Sequence, residues 1–397
     1  MDELANLDFA AFEGEINAIE MLAYLRKLGP VLISSNICEG PAKVLRQIAK
    51  EGTYIDWLMG IVVAKRSVIE GLQASLAGIG HKIAIAGNFT MHPLSSPEGG
   101  EEDCCGKRLW YVDRLGGWPE LRGNDQTVAV VDTGIVGSHP CLTVAAGDFA
   151  SLRGVGVEVS DYSDHGTNCA GVIASRCDQR IGVAPSCRLV VGQTLRMTPA
   201  GHMLSVEWAL LTSWALHCCG ARVFSFSWGA REPQFKSYVN VAVFSIVAAR
   251  LRRSNSALLF CTAGKAGSTI YPAAAPGVIA VSGYKQIDER QVVLDLACAG
   301  FNDELANQPE MLLGPSQCVS TTKPGGAFNH FGGASAACAF VAGVAVLYLE
   351  FYPCMNLNQI VARMFFDAEE IKGEHEKIYK IAVFPKLRLD ADQQKCS

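Results

Sequence analysis

Strands and helices alternate along the middle of this 397-residue chain. Apolar stretches with strand character are found at Thr127–Asp132, Cys187–Thr194, Arg222–Ser227, Ala257–Ala263 and Val278–Ser282, and helical periodicity is found at His165–Ser175, Leu204–His217 and Tyr238–Leu251. This alternation predicts an α/β fold in which helices cover both faces of a mostly parallel sheet. In open sheets of this kind the functional site lies at the carboxyl ends of the strands. Residues 285–330 carry turn signals and are predicted to be irregular.

Residues 1–92 repeat the alternation on a smaller scale and predict a compact two-layer α/β domain. Within this domain, Phe12–Leu28 has helical periodicity. Residues 93–107 are acidic and rich in turn-forming residues, so we interpret them as a linker, either a solvated loop or a processing site. Residues 108–397 then hold the larger domain.

Composition and charge describe a globular chain. Apolar residues make up 49% of the sequence and charged residues 18%, and the net charge is −5. Because the chain has no basic tract, a nucleic-acid partner is not expected. The N-terminus carries Asp2 and Glu3 where a secretory signal would carry basic residues, and no apolar run is expected to span a membrane. The predicted location is therefore cytoplasmic.

Fifteen cysteines are a high and odd number for such a chain, and their spacing matches no zinc pattern. Many of them, such as Cys169, Cys261 and Cys338, lie inside apolar segments. We interpret most of the cysteines as reduced residues of the core.

The stretch Gly332–Gly343 begins with two glycines and continues as a run of small and apolar residues. This pattern predicts a tight turn that leads into a buried helix. Ser335 would lie in the first turn of that helix, where free backbone N–H groups favour a developing negative charge. Such a serine suits a nucleophile, and it equally suits an ordinary helix N-cap.

Two further polar residues follow strand or turn signals. Asp132 ends the apolar stretch Val128–Asp132, and His165 stands between Asp164 and Gly166 at the start of a predicted helix. Each of these is a weak signal alone, because an Asp after a strand is usually a turn former. Together with Ser335 they supply an acid, a base and a nucleophile in the order Asp, His, Ser.

In these stretches the chain resembles the subtilisin-like serine protease family, over about residues 108–350. Further similar segments are Trp110–Leu115, Ile181–Pro185, Ser227–Gly229, Tyr271–Ala273 and Pro276–Val281. The resemblance implies a three-layer fold and a peptide or protein substrate. It also implies that Ser335 attacks the peptide carbonyl, that His165 transfers the proton, and that Asp132 orients the imidazole.

The resemblance assigns two further sets of residues. The backbone N–H of Ser335 would be one oxyanion donor, and Ser227, Trp228 and Gly229 would pair with an extended substrate. The family places an asparagine in its oxyanion loop, but this chain has Lys265 there. Loss of such a donor lowers the rate roughly 100- to 1,000-fold, so we expect slow or selective activity. Many family members bind calcium, but we match no calcium loop and expect no other cofactor.

Two questions stay open at this point. Residues 1–92 resemble the family's propeptide, which would act as an intramolecular inhibitor and folding chaperone, and they also suit a permanent docking domain. The chain as a whole suits a serine endopeptidase, a peptide-binding or scaffold protein with weakened catalysis, or a peptide transpeptidase or macrocyclase.

Overall fold

The structure is a computed structural model that describes residues 6–14, 18–86, 90–93, 109–154, 157–177, 181–194, 203–231, 239–264, 270–288, 291–298, 310–372 and 378–385. The strands are β1 (Leu7–Glu13), β2 (Val31–Ile33), β3 (Thr53–Asp56), β4 (Ile61–Lys65), β5 (Lys82–Ala86), β6 (Thr90–Pro93), β7 (Thr127–Asp132), β8 (Phe149–Ser151), β9 (Arg188–Gln193), β10 (Met203–Leu204), β11 (Val223–Phe226), β12 (Trp228–Arg231), β13 (Leu258–Thr262), β14 (Ile270–Tyr271), β15 (Ile279–Gln286), β16 (Val292–Leu294), β17 (Met311–Pro315), β18 (Val319–Lys323), β19 (Ala327–Phe331), β20 (Glu369–Lys372) and β21 (Ile378–Ile381). The helices are α1 (Ala18–Leu28), α2 (Pro41–Lys50), α3 (Arg66–Ala77), α4 (Trp110–Arg114), α5 (His165–Ala174), α6 (Ser205–Cys219), α7 (Val239–Arg253), α8 (Gly333–Phe351) and α9 (Leu357–Asp367), with 3-10 turns at Ser34–Glu39 and Ala146–Asp148.

The largest sheet has the strand order β20-β21-β17-β15-β13-β11-β7-β9-β8, with β16 beside β15. From β21 to β8 every neighbouring pair is parallel. Val128 and Val130 of β7 share a core cluster with α5 and α8, whereas Ala129 and Val131 share one with α6 and α7. Because successive side chains of a strand point to opposite faces, helices cover both faces of this sheet. The predicted three-layer α/β fold class is confirmed.

Helix α8 is the central helix of one layer. By its 19 residues and mean hydropathy of 1.8 it could cross a membrane, although the sequence analysis expected no run of that kind. Every residue from Gly333 to Leu349 is buried inside the protein. A helix that is apolar all round is expected in the core of a large domain, where both its faces meet protein.

The N-terminal unit, as we call β1–β6 with α1–α3, has a five-stranded sheet of order β2-β3-β4-β1-β5, and β6 follows that sheet in the chain. One face of this sheet packs on α1 and α3, through residues such as Leu25 and Leu72. The other face packs on helices α6 and α7 of the larger domain, where the Phe9 ring lies 6.3 Å from Trp208 and 6.1 Å from Phe244. The unit therefore shares an apolar core with the larger domain.

Two predictions about local structure were wrong. Phe12 belongs to strand β1, and the helix predicted from that residue begins only at Ala18. Strand β1 is buried on both faces, so its sequence lacks the polar alternation of a half-exposed strand. The region 285–330, predicted to be irregular, contains β16–β19. The hydrophobic pattern does not predict strand β18, because several of its buried residues are polar. One of them is Thr322, whose hydroxyl donates to the Thr167 carbonyl oxygen at 3.0 Å.

The cysteines in the described part of the chain divide into two groups. Six are free and buried, among them the predicted Cys169, Cys261 and Cys338, and the others are Cys187, Cys219 and Cys298. The other described cysteines are disulfide-bonded, so for them the interpretation as reduced residues is wrong. Disulfides join Cys38 to Cys218 and Cys141 to Cys177, and both Cys318 and Cys354 are also disulfide-bonded. Sequence spacing could not predict these pairs, because the partners lie 180 and 36 residues apart in the sequence and meet only in the folded chain.

A smaller sheet connects the two parts of the chain. Its order is β10-β6-β12-β14, so β6 lies between two strands of the larger domain. Strand β6 is antiparallel to both of its neighbours. Most of the predicted linker, residues 94–107, lies outside the described residues.

Candidate active site

Asp132 is the last residue of β7, at the carboxyl edge of the central sheet. Its side chain is fully buried, and Oδ1 accepts a hydrogen bond of 2.7 Å from the backbone N–H of Thr133. Burial of a carboxylate is expensive unless it is paired or hydrogen-bonded. The end of β7 therefore holds the Asp132 carboxylate in a fixed position at the carboxyl edge of the sheet.

His165 is the first residue of α5, and two turns in close contact set its position. A Cβ on Gly166 would lie only 2.1 Å from the carbonyl oxygen of Gly134, so both turns need the room that glycine leaves. The Thr133 hydroxyl donates to Asp161 Oδ1 at 2.6 Å and accepts the Gly166 N–H at 2.9 Å. These contacts bind the start of α5 to the end of β7.

Ser335 is the third residue of α8 and is completely buried. The N-cap position belongs to Gly332, which makes no side-chain capping bond. The alternative that Ser335 is an ordinary N-cap is therefore wrong. Its hydroxyl is left for other partners, and its backbone N–H is in the first turn, where such groups lack intrahelical acceptors.

The three side chains form one hydrogen-bonded series. The ring Nδ1–H of His165 donates to Asp132 Oδ1 at 2.8 Å, and the Ser335 hydroxyl donates to Nε2 of the same ring at 3.1 Å. The imidazole is only 6% exposed. This arrangement lets the ring accept the serine proton while the carboxylate stabilises the charge that develops on it.

Two opposing effects set the pKa of His165. Burial alone lowers the pKa, because it disfavours the charged ring. The buried Asp132 carboxylate acts in the other direction through its charge and its hydrogen bond, and the net pKa lies above the ordinary histidine value. The base is therefore stronger than a free imidazole.

Aromatic rings and a thiol enclose His165. The rings of Trp228 and Phe331 meet it edge-on, with centroids 6.1 Å and 5.6 Å away. The Cys169 Sγ lies 3.9 Å from Nδ1, and burial raises the pKa of this thiol. Cys169 is thus a neutral contact that fills space behind the ring.

The predicted substrate strand is already paired. Trp228 and Gly229 begin β12 and lie opposite Pro93 and His92 of β6 in an antiparallel ladder. On the other side of β6, Met91 lies opposite Met203 of β10. The chain's own β6 therefore pairs with the strand edge that the resemblance assigns to substrate.

Side-chain contacts support the same position. The Met91 side chain is fully buried in the apolar core that the N-terminal unit shares with the larger domain. Ser227, which precedes β12, donates its hydroxyl to the Ser335 carbonyl oxygen at 3.3 Å. Of the three residues predicted to bind substrate, Ser227 therefore contacts helix α8, and Trp228 and Gly229 pair with β6.

Lys265, the predicted second oxyanion donor, lies outside the described residues. Its chain neighbour Gly264 follows β13 with φ of 80°, in the left-handed region that favours glycine. Strand β13 runs parallel to β11 in the central sheet, so its last residue, Thr262, lies at the carboxyl edge that carries Asp132.

The described residues contain one cluster with metal-compatible spacing. Ligand atoms of Asp132, His165 and Cys169 lie within 4.8 Å of one another, and all three residues are buried. A nitrogen and a sulfur donor do not fit calcium, which takes oxygen ligands. The calcium that the resemblance implies has no support in this cluster, and two of its members are already hydrogen-bonded to each other.

Sequence reasoning missed several residues around this site. These include Met91, Cys169 and Phe331, and the carboxylate of Asp161, which accepts both the N–H (2.7 Å) and the hydroxyl (2.5 Å) of Thr167. The position of Thr133 directly after Asp132 was a signal for the threonine network. Nothing in the sequence of residues 90–93 indicated that they pair with β12.

Comparisons with known proteins agree with this geometry. A family model described as Peptidase_S8, the subtilase family, matches residues 123–377. The chain is 31% identical to a subtilisin of Bacillus pumilus over 256 residues, which cover 61% of this chain and 83% of the relative. It is also 31% identical to subtilisin E of Bacillus subtilis (strain 168), but it spans only 60% of that relative's length.

A solved structure extends the likeness to nearly the whole fold. Fervidolysin from Fervidobacterium pennivorans, described as a keratinolytic enzyme related to subtilisin, matches with a TM-score of 0.65 at 19% identity. The match covers 95% of this chain and 60% of that one, so it includes the N-terminal unit. With the family model covering more than half of the residues, the chain belongs to the subtilase family of serine proteases.

Proposed function

We propose that this chain cleaves peptide bonds through Asp132, His165 and Ser335, and that its own β6 segment holds the substrate groove closed. The observation that carries the first part is the hydrogen-bonded series from the Asp132 carboxylate to the Ser335 hydroxyl. The observation that carries the second is the pairing of β6 with β12.

The reaction follows from the geometry of the three residues. Ser335 Oγ attacks the peptide carbonyl as His165 Nε2 takes the hydroxyl proton, and the imidazolium then protonates the leaving amine. Asp132 keeps the proton on Nδ1, which leaves Nε2 free to accept. Water then attacks the acyl-enzyme with His165 again as the base, and the new carboxyl product leaves Ser335 free.

The oxyanion of the intermediate would be held by the Ser335 backbone N–H and by Lys265. A lysine ammonium donates hydrogen bonds and carries charge, but its long stem is less preorganised than an asparagine side chain. A cation near His165 also opposes formation of the imidazolium. We therefore propose a slow or selective endopeptidase.

Substrate would bind by strand addition. The backbone of β12 pairs with β6 in the antiparallel manner by which an extended peptide joins an exposed sheet edge. Met91 would then mimic a substrate side chain, because it fills a fully buried apolar position. Substrates are expected to carry an apolar residue at that position.

The same pairing gives the N-terminal unit a role as an intramolecular inhibitor. A substrate cannot pair with Trp228 and Gly229 while His92 and Pro93 occupy them. The shared apolar core between the unit and α6 and α7 supports stable association. A permanent docking domain would have no need to place a strand in the groove.

Peptide turnover tests this function. Protein cut in the linker and freed of its N-terminal unit is incubated with a peptide library, and products are identified by mass spectrometry. We expect hydrolysis that Ser335→Ala reduces by roughly 10⁴- to 10⁶-fold, as triad substitutions do. Saturable peptide binding without any product would overturn the proposal in favour of a binding protein, and products joined to an added amine would show transpeptidation instead.

A further inference from the structure

A disulfide joins the N-terminal unit to the peptidase domain. Cys38, in the 3-10 turn Ser34–Glu39, is bonded to Cys218 near the end of α6. Cys38 is the only cysteine before Cys104 in the sequence, so the N-terminal unit has no cysteine of its own to pair with it. We call this bond the tether disulfide. Backbone cleavage in the linker alone would leave the unit covalently attached.

The tether disulfide is open to solvent. Cys38 is exposed and Cys218 is half-buried. Cys38 also lines a cleft of about 280 Å³ between the two domains, with Pro41, Phe149 and Trp214 among the residues of its walls.

The neighbouring thiol does not open the bond. Cys219 follows Cys218 directly, but burial raises its pKa to about 11. Its Sγ instead contacts the Gly147 carbonyl oxygen at 3.7 Å. Because only a thiolate attacks a disulfide efficiently, the reductant has to come from solution.

We propose that the tether disulfide keeps the inhibitory N-terminal unit on the peptidase domain after linker cleavage, and that a small dithiol releases it. The proposal rests on the proposed function, in which β6 closes the groove. One thiolate of the dithiol attacks Cys38 Sγ, the S–S bond breaks, and Cys218 leaves as a thiolate that takes up a proton. The second thiol attacks the mixed disulfide and frees Cys38, so the protein gains two electrons and two protons and the reagent becomes a cyclic disulfide.

The tether matters because the other contacts that the described residues make between the unit and the larger domain are non-covalent. On the same helix as Cys218, the Ser213 hydroxyl and the Nε2–H of the adjacent His217 donate to Asp56 Oδ2 at 2.5 Å and 2.9 Å. These contacts position the unit on the larger domain. Once the disulfide is reduced and the linker is cut, the fraction of molecules with the unit bound depends on the protein concentration. A covalent link gives an effective concentration on the order of millimolar, which dilution does not change.

The test uses the full chain with residues 96–101 replaced by a site-specific protease sequence. The protein is cut without reductant and examined on a denaturing gel, before and after dithiothreitol. We expect one band of full mass that becomes two with dithiothreitol, and two bands without it for the double variant Cys38→Ser/Cys218→Ser. The matched control Cys141→Ser/Cys177→Ser removes a disulfide within the peptidase domain, so it should still give one band.

Measuring the peptidase activity after dilution distinguishes the tether proposal from the proposal that β6 inhibits. With the tether closed, specific activity should stay low over about a 1,000-fold dilution, whereas the double variant should gain about tenfold or more. Two bands from the unreduced wild type, or equal dilution behaviour of wild type and double variant, would overturn the tether proposal. High activity of the cut protein while the gel shows one band would instead overturn closure by β6, and with it the release mechanism.

Discussion

At the scale of single residues, the chemistry depends on how His165 is charged. The ring has to be neutral to accept the Ser335 proton, and its pKa lies above the ordinary histidine value because of Asp132. The three positions Asp132, His165 and Ser335 were predictable from the sequence, since each follows a strand or turn signal in a recognisable order. The cysteine pairs were not predictable, because no local pattern records which distant residues meet.

The pH dependence of the rate follows from this pKa. Activity should be present above the pKa of His165 and fall as the pH drops through it, because protonation removes the base. The acid limb of kcat/KM is therefore expected above pH 6.5, the ordinary histidine value. Initial rates between pH 5 and pH 9, on protein freed of its N-terminal unit, would measure the limb. A limb centred below the ordinary value would contradict the raised pKa.

At the scale of elements, the parallel strands and their helices were predicted well because buried apolar runs end in turn residues. Strand β1 was missed because it is buried on both faces, and β6 was missed because only its neighbours β10 and β12 make it a strand. Contacts between elements also position His165, the proposed base, since α5 begins where the Gly134 and Gly166 turns touch.

The close contact of these turns gives a substitution test. Gly166→Ala should lower kcat by about 100-fold or more, because the added methyl meets a backbone oxygen of Gly134 and displaces His165. Gly147→Ala is the matched control, since a Cβ there meets nothing within 4 Å. Circular dichroism and kcat are measured for both variants. Equal kcat in the two folded variants would show that the turn contact does not position the base.

Strand β6 gives a second test at this scale. Met91→Asp should raise the peptidase activity of the uncut chain by about tenfold or more, because a charge in this buried position expels β6 from the groove. Ile79→Asp, at a position that is 64% exposed on the same N-terminal unit, should leave the activity unchanged. Rates are compared at equal protein concentration. The same low activity in both variants would contradict closure by β6.

At the scale of the whole molecule, the two α/β units share an apolar core, and strand β6 of the first unit joins a sheet of the second. The N-terminal sheet packs on α6 and α7, and β6 pairs with β12 next to Ser227. The cytoplasmic location stays a prediction, and disulfides such as Cys38–Cys218 are the kind that persist in oxidising compartments. The domain boundaries at 92 and 107 also stay predictions, since residues 94–108 lie outside the described part.

Labelling with a fluorophosphonate serine probe tests the central claim most directly, because the probe reacts only with an activated serine. Wild type, Ser335→Ala and His165→Ala are compared, each uncut and each freed of the N-terminal unit. The account predicts strong labelling of freed wild type, weak labelling of the uncut chain and none of either variant. Absence of labelling in freed, folded wild type would contradict an active triad, and equal labelling of His165→Ala would show that the histidine does not activate Ser335.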